Sequence, residues 1–440
     1  MTEWLEFDNL ADKFQQRLGH LPDHRRGKNI SYRIKDAALG AFSVFFTQSP
    51  SFLAHQRAME TSKGRSNARS LFQIEQIPCD NQIRALLDPL TPRHLYPLFD
   101  EIVLALEQAG QLEPFRVLNG QLLVSLDGTG YFSSKAIQCP NCQHRTTTTG
   151  ETIYYHTAIT PVIVAPGRSQ VISLAPEFIV PQDGHDKQDC ERLAAQRWVK
   201  QHASQFKPYG LTLLGDDLYS NQPLCQLILA HKCNFIFVCK PDSHQILYEW
   251  VASLAASDDI DQVTLRRFNG RFTEIVTCRF VEAVPLRGGE DALLVNWGEV
   301  TITHSQTGEQ LYYNTFVTNH PLTTQTVIPM VDAGRARWKV ENENNNILKT
   351  KGYHVEHNFG HGQQYLASFL LTLNLLAFLF HTVLELVDAQ YRLLRQALGP
   401  RRTFFNDIKT LTRYLYFDSW QHLLDFMIKQ LELAPNFDTS

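Results

Sequence analysis

A chain of 440 residues has room for two or three domains at roughly 150 residues each. Apolar residues make up 43% and charged residues 20% of it, an ordinary globular balance that excludes a disordered or fibrous chain. The net charge of −4 excludes a uniformly basic surface, although a nucleic-acid groove needs only a local basic stripe.

Eight cysteines are too sparse for a disulfide scaffold, so a reducing cytoplasm is expected. The opening Met1-Thr2-Glu3-Trp4-Leu5-Glu6 lacks the basic-then-apolar pattern of a secretory signal.

Residues 1–118 are expected to form an all-helical N-terminal domain. Helical apolar spacing runs from Asp36 to Phe46, again from Asp80 and again over Leu98–Leu112. Basic clusters fall in this block: His24, Arg25, Arg26, Lys28, Arg33 and Lys35, then Arg57, Lys63, Arg65 and Arg69. Such clusters are usually solvated faces, and a DNA contact is the sharper alternative.

From residue 119 the period changes. Gln121 to Asp127 is a short apolar run ending at Asp127-Gly128, which predicts a buried strand and its turn. Thr152–Val164 and Gln170–Val180 read as the arms of a hairpin about Ala165-Pro166-Gly167. A helix over 189–205, a strand from Leu211 ending in Asp216, a helix over 222–231 and a strand over 234–240 complete a mixed sheet flanked by helices. Residues 259–322 alternate as strands and form a β-rich insertion; helix returns after it. The expected division is 1–118, a catalytic core over 119–258 and 323–392 that is split by the insertion, and a helical segment over 393–440.

Leu366–Leu384 is long and apolar enough to resemble a membrane span. Asn374 and His381 within it, and its isolation in an otherwise globular chain, favour a helix buried on all sides and no membrane partner.

An Asp at the end of a buried strand is a rigid place to present a hard-oxygen metal ligand, though such an acid is more often only a turn former. Asp127 and Asp216 both qualify. Arg337 and Glu341 are four residues apart, on one helical face, where the bland reading is a surface ion pair. Trp338 and Val340 suggest partial burial there, and the asparagines at 342 and 344–346 form helix poorly.

Taken in order, these residues resemble the DDE transposases of bacterial insertion sequences, which have an RNase H-like core. Asp216-Asp217-Leu218-Tyr219 matches the family's Asp-x-x-Tyr, and Arg337-x3-Glu341 matches part of its Tyr-x2-Arg-x3-Glu-x6-Lys signature. Gly334 stands at the tyrosine position and Leu348 at the lysine position, with Lys349 one residue late. The insertion before Glu341 is similar to one found in a branch of these enzymes.

The resemblance implies an α/β, RNase H-like mixed sheet in which Asp127, Asp216 and Glu341 hold two Mg2+ or Mn2+ ions. Arg337, Tyr219, Lys349, His357 and His361 would contact DNA; Asp217 and Glu343 are the reserve acids. It further implies element ends and target DNA as partners, a homodimer in a paired-end complex and a nucleoid-associated location. A related nuclease without strand transfer, and a domesticated DNA-binding protein, are the alternatives.

Cys139-Pro140-Asn141-Cys142-Gln143-His144 has the CxxC spacing of a zinc knuckle, with Cys139, Cys142 and His144 as its ligands and His156 or Cys190 as a fourth. Free surface cysteines are the competing expectation. His354, His357 and His361 are expected in a loop that contacts DNA, with metal binding or plain packing as alternatives.

Overall fold

The computed structural model describes residues 5–26, 30–60, 66–181 and 187–433. Of the basic residues singled out above, Lys28, Lys63 and Arg65 lie outside the described residues.

Six helices precede the first strand: α1 (Phe7–Gly19), α2 (Ile34–Phe46), α3 (Phe52–Glu60), α4 (Asn67–Phe72), α5 (Asp80–Leu87) and α6 (Tyr96–Gln108). A mixed α/β region follows. Its strands are β1 (Arg116–Val117), β2 (Gln121–Ser125), β3 (Gly128–Ser134), β4 (Gln143–Thr146), β5 (Thr152–Ile159), β6 (Val162–Val164), β7 (Ile172–Ser173) and β8 (Glu177–Ile179). Helix α7 (Lys187–His202), β9 (Leu211–Gly215), α8 (Gln222–Ala230), β10 (Asn234–Val238) and α9 (Gln245–Ala256) come next.

The central sheet runs β7-β6-β2-β9-β10, with β2, β9 and β10 parallel and β6 and β7 antiparallel to their neighbours. Both faces of β10 are covered. Its residues alternate between faces, so Phe237 meets Tyr219 on one side while Ile236 meets Gly334 on the other. This is why β2, β9 and β10 read as continuous apolar runs.

The alternating stretch within 259–322 forms four strands, β11 (Asp261–Phe268), β12 (Thr273–Pro285), β13 (Leu294–His304) and β14 (Gln310–Thr318). It continues the central sheet, because β14 pairs antiparallel with β10 and the order runs outward to β11.

The expected hairpin is also present, but it serves two sheets. Val162 pairs with Ser173 in the central sheet, and Thr157 pairs with Ile179 in a small four-stranded sheet of β3, β4, β5 and β8. Each arm therefore changes sheet partway, at Thr160-Pro161 on the first arm.

After β14 the chain is helical: α10 (Val327–Arg335), a π-helical turn over Val340–Asn345, α11 (Asn346–Thr350), α12 (Leu366–Val387), α13 (Ala389–Leu398), α14 (Arg401–Tyr414) and α15 (Trp420–Gln430). Among the described residues α12 alone is long and apolar enough to cross a membrane, and 83% of its most apolar window is buried inside the protein. Phe380 packs against Phe7, Phe14 and Phe42 from the N-terminal helices. The two polar residues that argued against a span both bond Tyr353: Asn374 donates to its carbonyl at 2.8 Å, and His381 Nδ1 bonds its hydroxyl.

The N-terminal helices share one core with the C-terminal ones. Trp420 packs edge-on or tilted against Phe7, Phe46 and Phe72 and donates from Nε1 to the Leu71 carbonyl. Asn67 donates to the Thr412 and Leu415 carbonyls, at 2.6 and 2.8 Å.

Candidate functional site

Strands β2 and β9 are adjacent and parallel, with Ser125 opposite Leu214. The residues just beyond their ends, Asp127 and Asp216, therefore leave the sheet at the same edge. Asp216 caps the short turn after β9, and its Oδ1 accepts the Leu218 N–H at 2.9 Å. The helical segment carrying Glu341 returns to this edge, where the Ser125 hydroxyl donates to the Arg337 carbonyl at 3.2 Å.

The electrostatics reflect a concentration of acids. Burial first, then the charges of Glu341, Glu191 and Asp216, push the Asp127 carboxyl up to about 7, while Arg337 opposes the rise. Asp216 is also raised, mainly by burial, with the Leu218 N–H and Arg337 opposing. Arg337 Nη1 pairs with Glu341 Oε1 at 2.8 Å; the guanidinium side chain is 12% exposed and the Glu341 side chain 44%. Asp127 and Asp216 are thus two hard-oxygen donors kept above the usual carboxylate range at one edge of the sheet.

The asparagine run has a structural purpose. Asn344 and Asn345 are buried in the π-helical turn, an irregularity frequent at functional sites. Asn345 Nδ2 donates to Asp127 Oδ2 at 3.0 Å, while Thr160 donates to Asn345 Oδ1 at 2.7 Å. Ser173 donates to Asn344 Oδ1 at 3.2 Å, so both hairpin arms are fastened to the helix that carries Glu341.

The reserve acids are engaged elsewhere. Asp217 accepts the Lys240 N–H at 2.6 Å and the Ser243 hydroxyl. Although burial works the other way, the hydrogen bonds from His244, Ser243 and Lys240 hold its carboxyl low. Glu343 lines a different cleft with Asn346, Lys351 and Arg402. Both departures from the Glu-helix signature are core positions. A Cβ on Gly334 would stand 2.9 Å from the Phe316 ring, and Leu348 is buried. Val340 is fully buried, but Trp338 is 49% exposed, against the partial burial expected of it.

Tyr219, Lys349 and His357 differ in burial and in what they touch. Tyr219 is fully buried and its hydroxyl donates to Glu191 at 2.9 Å, so it faces the acids and not an outer phosphate. Lys349 pairs with Glu356 at 3.0 Å. His357 is exposed, with its ring on the edge of Phe359.

His361 is buried and stands in a Cys/His cluster with Cys139, Cys142 and His156, which corrects its assignment to DNA. His144 is corrected as well. It lies exposed on β4, pointing opposite to buried Gln143, as strand alternation requires. The register pairs Gln143 with Tyr155, so the next position outward sets His156 beside Cys142.

Glu191 was missed. It sits on α7 close enough that a Cβ on Gly128 would be 2.7 Å from its carboxylate. The signal was present in the helix itself, because Glu191 shares one face with buried Ala194, Ala195 and Trp198.

No family model and no curated protein matches this chain.

Proposed function

We propose that the chain is a DNA transposase of an insertion sequence, with an RNase H-like catalytic core and an all-helical N-terminal part that recognises the element ends. One observation carries it: Asp127 and Asp216 end adjacent parallel strands at the edge to which the Glu341 helix returns. The first acid follows the first core strand and the second follows a later strand beside it, as the resemblance requires.

Asp127, Asp216 and Glu341 would hold two Mg2+ or Mn2+ ions, which when bound supply a nucleophile near neutral pH and stabilise the leaving oxygen. The remaining roles belong to the chain. Asn345 orients Asp127, the Leu218 N–H orients Asp216, and Arg337 positions Glu341 while offsetting the negative charge. Glu191 is a fourth acid at the same edge, positioned through Tyr219. The partners are element ends and target DNA, held by a homodimer.

The test is Mg2+- or Mn2+-dependent cleavage of duplex DNA that carries the sequences flanking the gene. Asp127→Asn and Glu341→Gln should each lower cleavage at least about a hundredfold, the equivalent of losing ~3 kcal/mol of charge stabilisation. Undiminished cleavage in both variants would reject the triad. Product analysis separates the runner-up: nicks without joined strands would indicate a nuclease and not a transposase.

A further inference from the structure

We propose that Cys139, Cys142, His156 and His361 form a tetrahedral Zn2+ site that ties the small sheet to the segment leading into α12. It stands apart from the acidic edge and does not depend on the transposase reading.

The four donor atoms lie within 4.8 Å of one another. Zinc–sulfur bonds of about 2.3 Å and zinc–nitrogen bonds of about 2.0–2.1 Å give a tetrahedron with S–S edges near ~3.8 Å, S–N edges near ~3.5 Å and N–N edges near ~3.3 Å. The observed edges follow that pattern. Cys139 Sγ to Cys142 Sγ is 3.8 Å, and the two sulfurs lie 3.5 and 3.4 Å from His156 Nε2. Cys142 Sγ to His361 Nε2 is 3.3 Å, and the two Nε2 atoms are 3.1 Å apart.

The outer contacts of the histidines argue for a cation between them. His361 Nδ1 bonds the Gly362 carbonyl at 2.9 Å, and His156 is bonded to the Asn141 backbone. The His361 bond places that ring's N–H on Nδ1, so its Nε2 lone pair faces His156 Nε2 and the Cys142 sulfur, an approach that a shared cation makes favourable. The CxxC turn has the knuckle form too: Cys139 N–H donates to Cys142 Sγ at 3.4 Å, and Cys142 N–H to the Cys139 carbonyl at 3.1 Å. Two thiolates and two imidazoles select zinc over the hard cations suited to carboxylates.

The surroundings hold the fourth ligand in place. Asp88 accepts the N–H groups of Gln363, Gln364 and Leu366, and Asn141 donates to the Gln364 carbonyl. Gly362 has φ +71°, and a Cβ there would collide with Asp88, so the turn behind His361 admits only glycine. A cavity of about 320 Å³ borders His156 and His361 and supplies an entry path for the ion.

The full-length chain, purified without chelator from zinc-supplemented medium, should carry about one zinc per chain by elemental analysis. His144→Ala should keep it, while Cys142→Ser and His361→Ala should fall below about 0.2. Cobalt exchange should give the thiolate-to-metal band and visible absorption of a tetrahedral S2N2 site. Stripping the wild-type ion should lower Tm by roughly 5 °C or more, reversed by Zn2+, a readout that stands even where a ligand variant fails to fold. A folded wild-type chain with less than about 0.2 zinc and a Tm indifferent to chelator and Zn2+ would overturn the proposal. So would retention of zinc in both ligand variants, or thiol titration showing Cys139 joined to Cys142.

Discussion

Asp127 shows what crowding acids at one buried edge costs in stability. Burial and its acidic neighbours keep its carboxyl at about 7, far above the ~3.9 of an unfolded chain. The folded state thus favours the protonated form. Its contribution to stability is fully present below about pH 4 and is lost as the pH rises through 7. Asp127→Asn removes the charge and should raise the Tm of the metal-free protein at pH 8 by a few °C. The gain should shrink steadily as pH is lowered toward 4. Calorimetry across that range checks it, and an equal gain at pH 5 and pH 8 would contradict the assigned cause.

At the scale of elements, the π-helical turn and the hairpin are joined through Asn345. Asn345→Ala would leave the Thr160 hydroxyl and an Asp127 oxygen without these partners, costing about 2–3 kcal/mol. Thr160→Val breaks the same bond from the other side. In a double-mutant cycle of urea unfolding the double variant should lose less than the sum of the two single losses; strict additivity would mean the pair is not coupled.

The elements that present Asp127 and Asp216 were legible in the sequence, because short apolar runs ending in an acid read the same way locally and in the fold. The partners of Cys139 and Cys142 were not. His361 arrives from the far side of the insertion, and choosing His156 over His144 requires the β4–β5 register, which no local pattern encodes. The role of the asparagines was hidden for the same reason, since their partners Thr160 and Ser173 belong to the hairpin arms.

For the whole molecule, the division expected at residue 118 meets a continuous core. Phe7, Phe46 and Phe72 pack against Trp420, and Phe7, Phe14 and Phe42 against Phe380. A fragment ending at residue 118 would expose those rings, and it should show little cooperative unfolding by circular dichroism. Trp420→Ala in the full chain should cost about 3–5 kcal/mol. A cooperatively folding fragment would show instead that the N-terminal helices close a core of their own.

The four inserted strands also have a duty unrelated to any ligand. β10 is the last parallel strand of the central sheet, and β14 is what satisfies its outer N–H and C=O groups. Without β14, Phe235 to Val238 would offer a bare apolar margin to any passing chain, the template from which intermolecular sheets grow. The four strands are thus a guard against self-association as well as an extension of the central sheet. Its outermost strand β11, with exposed or half-buried residues throughout and Arg266 and Arg267 among them, is the margin the protein can safely leave in water.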